Sequence, residues 1–554
     1  MKSNINNYVS MIALAILAFS SVSFANEPGV QKPVRVFIFA GQSNMVGSDS
    51  KASDIKRFPP FAGLEIPQTD IKFSYCIGRE KKLKSNGWVA LSPINNVVGP
   101  ELSFAKKVSA NSEGPIAIIK CAAGGTHLGG DWNPDNPSGF KMYPLTVDLI
   151  RESLAEFDRQ NIKYQLEGFM WHQGENDMFN EQYMADYGKN LNNFIQKWRD
   201  ELDAPELKFF IGELCTKTIW GMDLRPRMYA ISIGQKSVAA QDKNTAYVPT
   251  SHVGVEIGGG VGLHYHYGTL GQLEHGVNYA DAYLESIGVQ RKQRPQLPKL
   301  PYADKSLVKL FVLAGHRNME GERAFTQNIS NDPQLKKLLR SQKQIPFRYQ
   351  LGGGYLVSNH WESLGTTGYY ETFGPELSFA AALKKSKDNI AIAKFTHSGS
   401  QIVDWTPEGS EAKSRNLYPQ FIRFIQDAVS DLETKGHPVE LQGIFYHVGE
   451  NDMSFGPFRQ KSPAWIGSLI EQSRIDLKQP TLRWFVSQQP PTDHEQVNAI
   501  DVTSELARAA EKDPNWIHIR AFDLPKQDRQ LVLDESGIIE LGELMANEYQ
   551  NIEN

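Results

Sequence analysis

The apolar positions of this chain follow two periods that alternate along it. VRVFIFA, residues 34–40, is apolar almost throughout, as a strand buried on both faces should be, and it ends at a glycine-containing turn. GPELSFAKKV, residues 99–108, opens with Gly-Pro and then carries apolar residues at helical spacing. PIAIIK (115–120) reads as a second strand, 143–157 as an amphipathic helix, LEGFMWHQGE (166–175) as a third strand and LGQLEHGVNYADAYLESI (270–287) as a closing helix. Strands alternating with helices predict a parallel sheet covered on both faces. Ligands of such sheets collect at the carboxyl ends of strands. Ser43, Gly124, Gly125 and residues 173–175 all fall just after predicted strands.

The same pattern is then written again. FIFAGQSNMVG (37–47) returns as FVLAGHRNMEG (311–321), and GPELSFA (99–105) as GPELSFA (374–380). IAIIKCAAGGTHLGGDW (116–132) has a looser partner in IAIAKFTHSGSQIVDW (390–405), and GFMWHQGENDM (168–178) returns as GIFYHVGENDM (443–453). HYGTLGQLEHGVNYADAY (266–283) matches VLDESGIIELGELMANEY (532–549). Five pairs in one order at nearly constant spacing mean two copies of one domain. The expected division is 26–290 for the first, 306–554 for the second, and a proline- and charge-rich linker at 291–305.

Composition narrows the partners. At 554 residues the chain is too long for one core. Lys+Arg number 58 against 63 Asp+Glu, so no basic face for nucleic acid is expected. Residues 1–25 have the form of a secretory signal peptide: Lys2, a short apolar run over 11–19, and a small residue at Ala25. That run falls short of the ~20 residues of a membrane span. A secreted or periplasmic protein without stable membrane insertion is expected. Three cysteines, Cys76, Cys121 and Cys215, leave at least one unpaired, and no two have metal-ligand spacing.

A serine in a turn after a buried strand is a candidate nucleophile. It needs a base, usually histidine, and the base needs an orienting acid. By itself Ser43 reads better as a turn or helix N-cap residue. His266, just before the closing helix, is the preferred base, with His264 its competitor.

Together, GQSNMVG, AAGGT, WHQGEND and a histidine before LGQLEHG resemble the SGNH hydrolase superfamily, and within it the sialate O-acetylesterase-like group that overlaps carbohydrate esterase family six. The resemblance spans residues 34–287. It implies a flavodoxin-like α/β/α fold in each copy, removal of acetyl groups from sugar hydroxyls of an oligo- or polysaccharide, and no metal or cofactor. Carried onto this chain, it makes Ser43 the nucleophile. The oxyanion hole is assigned to the backbone N–H of Ser43, a glycine of the pair Gly124 and Gly125 (repeat register favouring Gly125), and the Gln173 amide. Where the superfamily has an Asp three residues before the base, this chain has Leu263, or Val261 if His264 is the base. The acid is therefore expected to be Glu175, with Asp177 as the alternative. His127 and Trp132 are candidates for lining the sugar pocket. His172 recurs as His447 and Trp132 as Trp405, which points to packing roles for both.

The second copy carries Arg317 for Ser43, Val448 for Gln173, Val532 for His266 and Gln530 for His264. It is expected to be a pseudo-esterase in which Arg317, at the mouth of the old crevice, pairs with Glu450 or holds an acidic glycan. A chain cut before the linker is then expected to keep its activity on small esters. The competing reading is a non-catalytic carbohydrate-binding or scaffold protein. The intact set Ser43, Gln173, Glu175 and His266 speaks against it.

Overall fold

A computed structural model of the chain describes residues 32–80, 82–214, 217–219, 222–253, 265–383, 388–411, 415–453, 456–488, 502–525 and 531–553. The expected signal peptide, Cys215, Val261, Leu263, His264 and Gln530 lie outside them.

In the first copy the strands are β1 (Val34–Gly41), β2 (Gln68–Ile77), β3 (Leu83–Lys84), β4 (Val89–Leu91), β5 (Ile116–Ala122), β6 (Tyr164–His172) and β7 (Phe209–Gly212). A small hairpin, β8 (Thr218–Ile219) and β9 (Met222–Asp223), precedes β10 (Thr245–Val248). The sheet runs β10-β7-β6-β1-β5-β2-β3, with β4 also on β2. From β10 to β2 every pairing is parallel, and only β3 and β4 are antiparallel. The helices are α1 (Ser43–Val46), α2 (Glu101–Asn111), α3 (Met142–Arg159), α4 (Glu181–Ala185), α5 (Tyr187–Glu201), α6 (Arg225–Gln241) and α7 (Gly268–Ser286). One apolar layer packs Phe37 and Phe39 of β1 against α2 and α7. The other packs Val36 and Ile38 against α3 and α5. β1 is buried along its whole length, which is why its sequence lacks alternation.

The second copy repeats this: β11 (Val308–Gly315), β12 (Gln342–Leu351), β13 (Leu356–Val357), β14 (Glu362–Leu364), β15 (Ile390–Thr396), β16 (Val439–His447), β17 (Trp484–Gln488) and β18 (Trp516–Arg520). Its order is β13-β12-β15-β11-β16-β17-β18, with β14 on β12. Even the irregularity repeats. The β1–β6 register shifts between Val36 and Phe37, and the β11–β16 register between Leu310 and Phe311. Two tandem α/β domains with mainly parallel sheets are thus present, as the periodicity predicts.

GPELSFA recurs because it builds a buried ion pair. Lys120 Nζ on β5 sits 2.7 Å from Glu101 at the start of α2, and donates to the Val46 carbonyl at the end of α1. Lys394 does the same with Glu376 and the Glu320 carbonyl. Removing one partner of such a pair costs about 3–5 kcal/mol, because the other is left buried and uncompensated. The pair therefore fixes α1, and with it Ser43, to the sheet.

The segment expected to be the linker makes contacts with the second copy. Leu297 donates to the Trp361 carbonyl, Arg294 pairs with Glu362, and Leu300 is buried in that copy's core.

Candidate active site

β1 ends at Gly41, and the chain turns at once into α1, whose first residue is Ser43. Gly47 closes this single turn in the left-handed conformation, φ 104°. Ser43 is 6% exposed, and its hydroxyl donates no hydrogen bond among the described residues. The α-carbon of Gly124, just past β5, faces it: a Cβ built there would lie 3.4 Å from Ser43 Cβ. Gly125 turns away at φ 73°, towards Arg79 and the side-chain amide of Asn176. The Ser43 and Gly125 N–H groups have no acceptor among the described residues. Uncommitted N–H groups at the start of a helix are suited to receive an oxyanion.

His266 precedes α7, and its Nδ1 lies 2.7 Å from Asp49 Oδ2, the carboxylate accepting. Asp49 stands just after α1 at φ 63°, a left-handed conformation that Asp tolerates better than most residues. The hydrogen bond to His266 holds the Asp49 carboxyl below its ordinary value, against the opposing effect of partial burial. The carboxylate on His266 is therefore Asp49. This corrects the expectation that Glu175 or Asp177 would contact the histidine.

Glu175 is wholly buried and reaches His266 only through an intermediary. Asn44 Nδ2 donates to Glu175 Oε1 (2.6 Å) and to the Tyr265 carbonyl (3.3 Å), while Asn44 Oδ1 accepts from the Tyr267 N–H (3.3 Å). The residue after the serine thus clamps the backbone on both sides of His266, and Glu175 orients the clamp. Burial would raise the Glu175 pKa, but His172 Nε2 at 3.2 Å and Asn44 outweigh it and hold the carboxyl below its ordinary range. Asn44 went unremarked in the sequence, although it sits inside GQSNM.

Asp177, pushed up by burial, latches the loop after β5 by accepting from the N–H groups of Leu128 and Gly129. Gln173 is fully buried, and its amide Nε2 is engaged by Asp177 (2.5 Å), the Thr126 carbonyl (2.9 Å) and Gln42 (3.2 Å). With both hydrogens committed inside the loop, it is not the oxyanion donor expected. Asn176, beside Gly125, is the side-chain amide on that side, and its side chain donates to no acceptor among the described residues. Trp132 is wholly buried, packed edge-on against Trp171 and donating to Thr126 Oγ1, so it offers no face to a sugar. His127 does reach the surface beside Tyr183, and its hydrogen bond to Asp131 raises its pKa.

Such a fold and site define an α/β ester hydrolase. The chain belongs to the carbohydrate esterase family described as sialic acid-specific acetylesterases, which matches residues 33–285 and again 307–551. A probable carbohydrate esterase of Arabidopsis thaliana is 26% identical over 197 residues, covering 33% of this chain and 70% of the relative. Two solved structures are also similar to this chain. An Arabidopsis thaliana protein is 21% identical, over 46% of this chain and 99% of that one, at a TM-score of 0.35. A carbohydrate acetylesterase from Xanthomonas citri is 16% identical, over 46% and 56%, at a TM-score of 0.33.

Proposed function

We propose that the first copy is a serine-dependent carbohydrate O-acetylesterase, and that the second turns over no substrate. The observation that carries this reading is the His266–Asp49 pair, on a segment clamped by the residue next to Ser43. With Nδ1 held by Asp49, His266 keeps Nε2 as the base. Nε2 takes the Ser43 proton as Oγ attacks the acetyl carbonyl. The oxyanion is received by the N–H groups of Ser43 and the Gly124–Gly125 turn, with Asn176 as the side-chain donor. Collapse passes the proton from His266 to the sugar oxygen, which leaves as the alcohol. Water, deprotonated by His266, then releases acetate from Ser43. No residue of this scheme requires a metal.

Acetylated sugar is the substrate class that the family description supports, and the xanthomonad structure is itself described as an acetylesterase. Among the described residues no helix is long and apolar enough to cross a membrane. Export rests on the composition of residues 1–25. The test is acetate release from a panel of acetylated polysaccharides by the full chain and by Ser43→Ala. Release by the alanine variant at the wild-type rate would refute the nucleophile.

A further inference from the structure

In the second copy the strand-end crevice is not open: the first copy fills it. Gly399, which corresponds to Gly125, lies so close to the Ser251 carbonyl that a Cβ would run into that oxygen. Gln401, which corresponds to His127, accepts from Arg225 Nη1 of α6 at 2.6 Å. Tyr355 stacks on His252, with ring centroids 4.0 Å apart, and donates to Asn278 and Asp281 of α7. Arg415, buried, adds its charge beside Glu213 at the end of β7.

Gly399 and Tyr355 meet the turn at 250–252 directly, Arg415 lies beside the Glu213 that holds it, and that turn leads back to the base. Glu213 Oε2 accepts from the N–H groups of Thr250 and Ser251 (3.1 and 3.0 Å). Tyr267, adjacent to His266, donates its hydroxyl to Thr250 Oγ1 at 2.7 Å, and its own N–H goes to Asn44. An unbroken set of hydrogen bonds and packed rings thus runs from the second copy to the two residues flanking His266.

We infer that the degenerate crevice of the second copy is a socket for the 250–252 turn, and that by holding this turn it positions His266 for catalysis in the first copy. The inference rests on the reading of His266 as the base. The second copy then acts on turnover rather than on polysaccharide binding, and the expectation that a chain cut before the linker stays active is reversed.

The test uses the full chain and a small chromogenic acetate ester. Gly399 is not in the left-handed region, so Gly399→Ala is permitted by its own backbone and disturbs only the contact with Ser251. Displacing a base by a fraction of an ångström or more is expected to lower kcat about 10–100-fold with KM little changed. Tyr355→Phe, which removes one hydroxyl and keeps the stacked ring, should lower kcat in the same direction by less. Should Gly399→Ala also lower the melting temperature, Tyr355→Phe decides. Wild-type kcat in a folded Gly399→Ala, or in Tyr355→Phe when the first is unstable, overturns the socket. His266→Gln run beside them separates the two readings. If it stays active, the base assignment falls and the socket's role with it. If it is inactive while the socket variants match wild type, only the socket falls.

Discussion

The two copies share one frame and differ in what occupies its crevice. In both, the asparagine at the fifth position of the AGxxNM stretch clamps the loop before the last helix. Asn44 holds Tyr265 and Tyr267, and Asn318 holds Leu531 and Leu533. Between the clamped residues stands His266 in one copy and Val532 in the other. The clamp therefore belongs to the fold, and the copies differ in the residue it presents. Asp49 has its counterpart in Arg323, so the second copy lacks both members of the His266–Asp49 pair. Arg317 does not stand at a mouth, nor does it pair first with Glu450. It is wholly buried and donates in bidentate fashion to Glu322, at 2.9 and 2.6 Å. That rules out the glycan-binding role considered for it. What the difference teaches is that a strand-end crevice without the serine and the histidine–carboxylate pair is still a shaped cavity, and here residues of the neighbouring copy enter it.

The largest expected effect follows from the nucleophile. Ser43→Ala should reduce acetate release by about 10⁴–10⁶-fold with the melting temperature preserved. A steady-state assay with a chromogenic ester checks this, and an active variant would erase the contrast between the copies. Asp49→Asn comes next. Because Asp49 is largely exposed, its loss should cost about 10²–10³-fold in kcat, less than a fully buried triad acid. Glu175→Gln should lower both kcat and melting temperature, since it loosens the Asn44 clamp. If Glu175→Gln alone abolished turnover while Asp49→Asn remained active, the acid would move back to Glu175.

A smaller effect separates the copies by pH. Glu175 is held below its ordinary pKa, so the stability it contributes is present at neutral pH and is lost as pH falls through that lowered value. Its counterpart Glu450 is pushed up to about 7 by burial, which Arg317 only partly offsets, and burial likewise lifts Glu320 to about 7 and Asp452 to about 8. These groups are protonated in the native second copy at pH 5, whereas their unfolded forms ionise at ordinary carboxylate values. Stability of that copy should therefore fall as pH rises from the ordinary carboxylate range to about 8. Glu450→Gln should raise the melting temperature by a few degrees at pH 8 and barely alter it at pH 5. Calorimetry at both values checks this, and an equal effect at both would remove the distinction. The smallest expected effect is none. Arg317→Ser, Val448→Gln and Val532→His together, in a Ser43→Ala background, should restore no acetate release, because Ser251 and Arg225 still occupy the crevice.

The duplication, the parallel sheet and the position of Ser43 after β1 were legible in the sequence because they rest on local periodicity and on motifs that occur twice. The replacement of Ser43, Gln173 and His266 by Arg317, Val448 and Val532 was legible for the same reason. The short strands β7 and β10 were not anticipated, since four residues carry too little periodicity to register. For Trp132 the packing reading held and the sugar-stacking one did not, and Gln173 was misread, because burial is not a local property: a tryptophan suited to sugar stacking and an amide suited to an oxyanion have the same sequence when packed inside. The acid on His266 lies 217 residues away, in a loop with no motif of its own. Only closure of the chain between α1 and α7 could bring the two together. Likewise, residues 250–252 and Gly399 hold no common pattern, and their meeting is decided by how two finished domains dock.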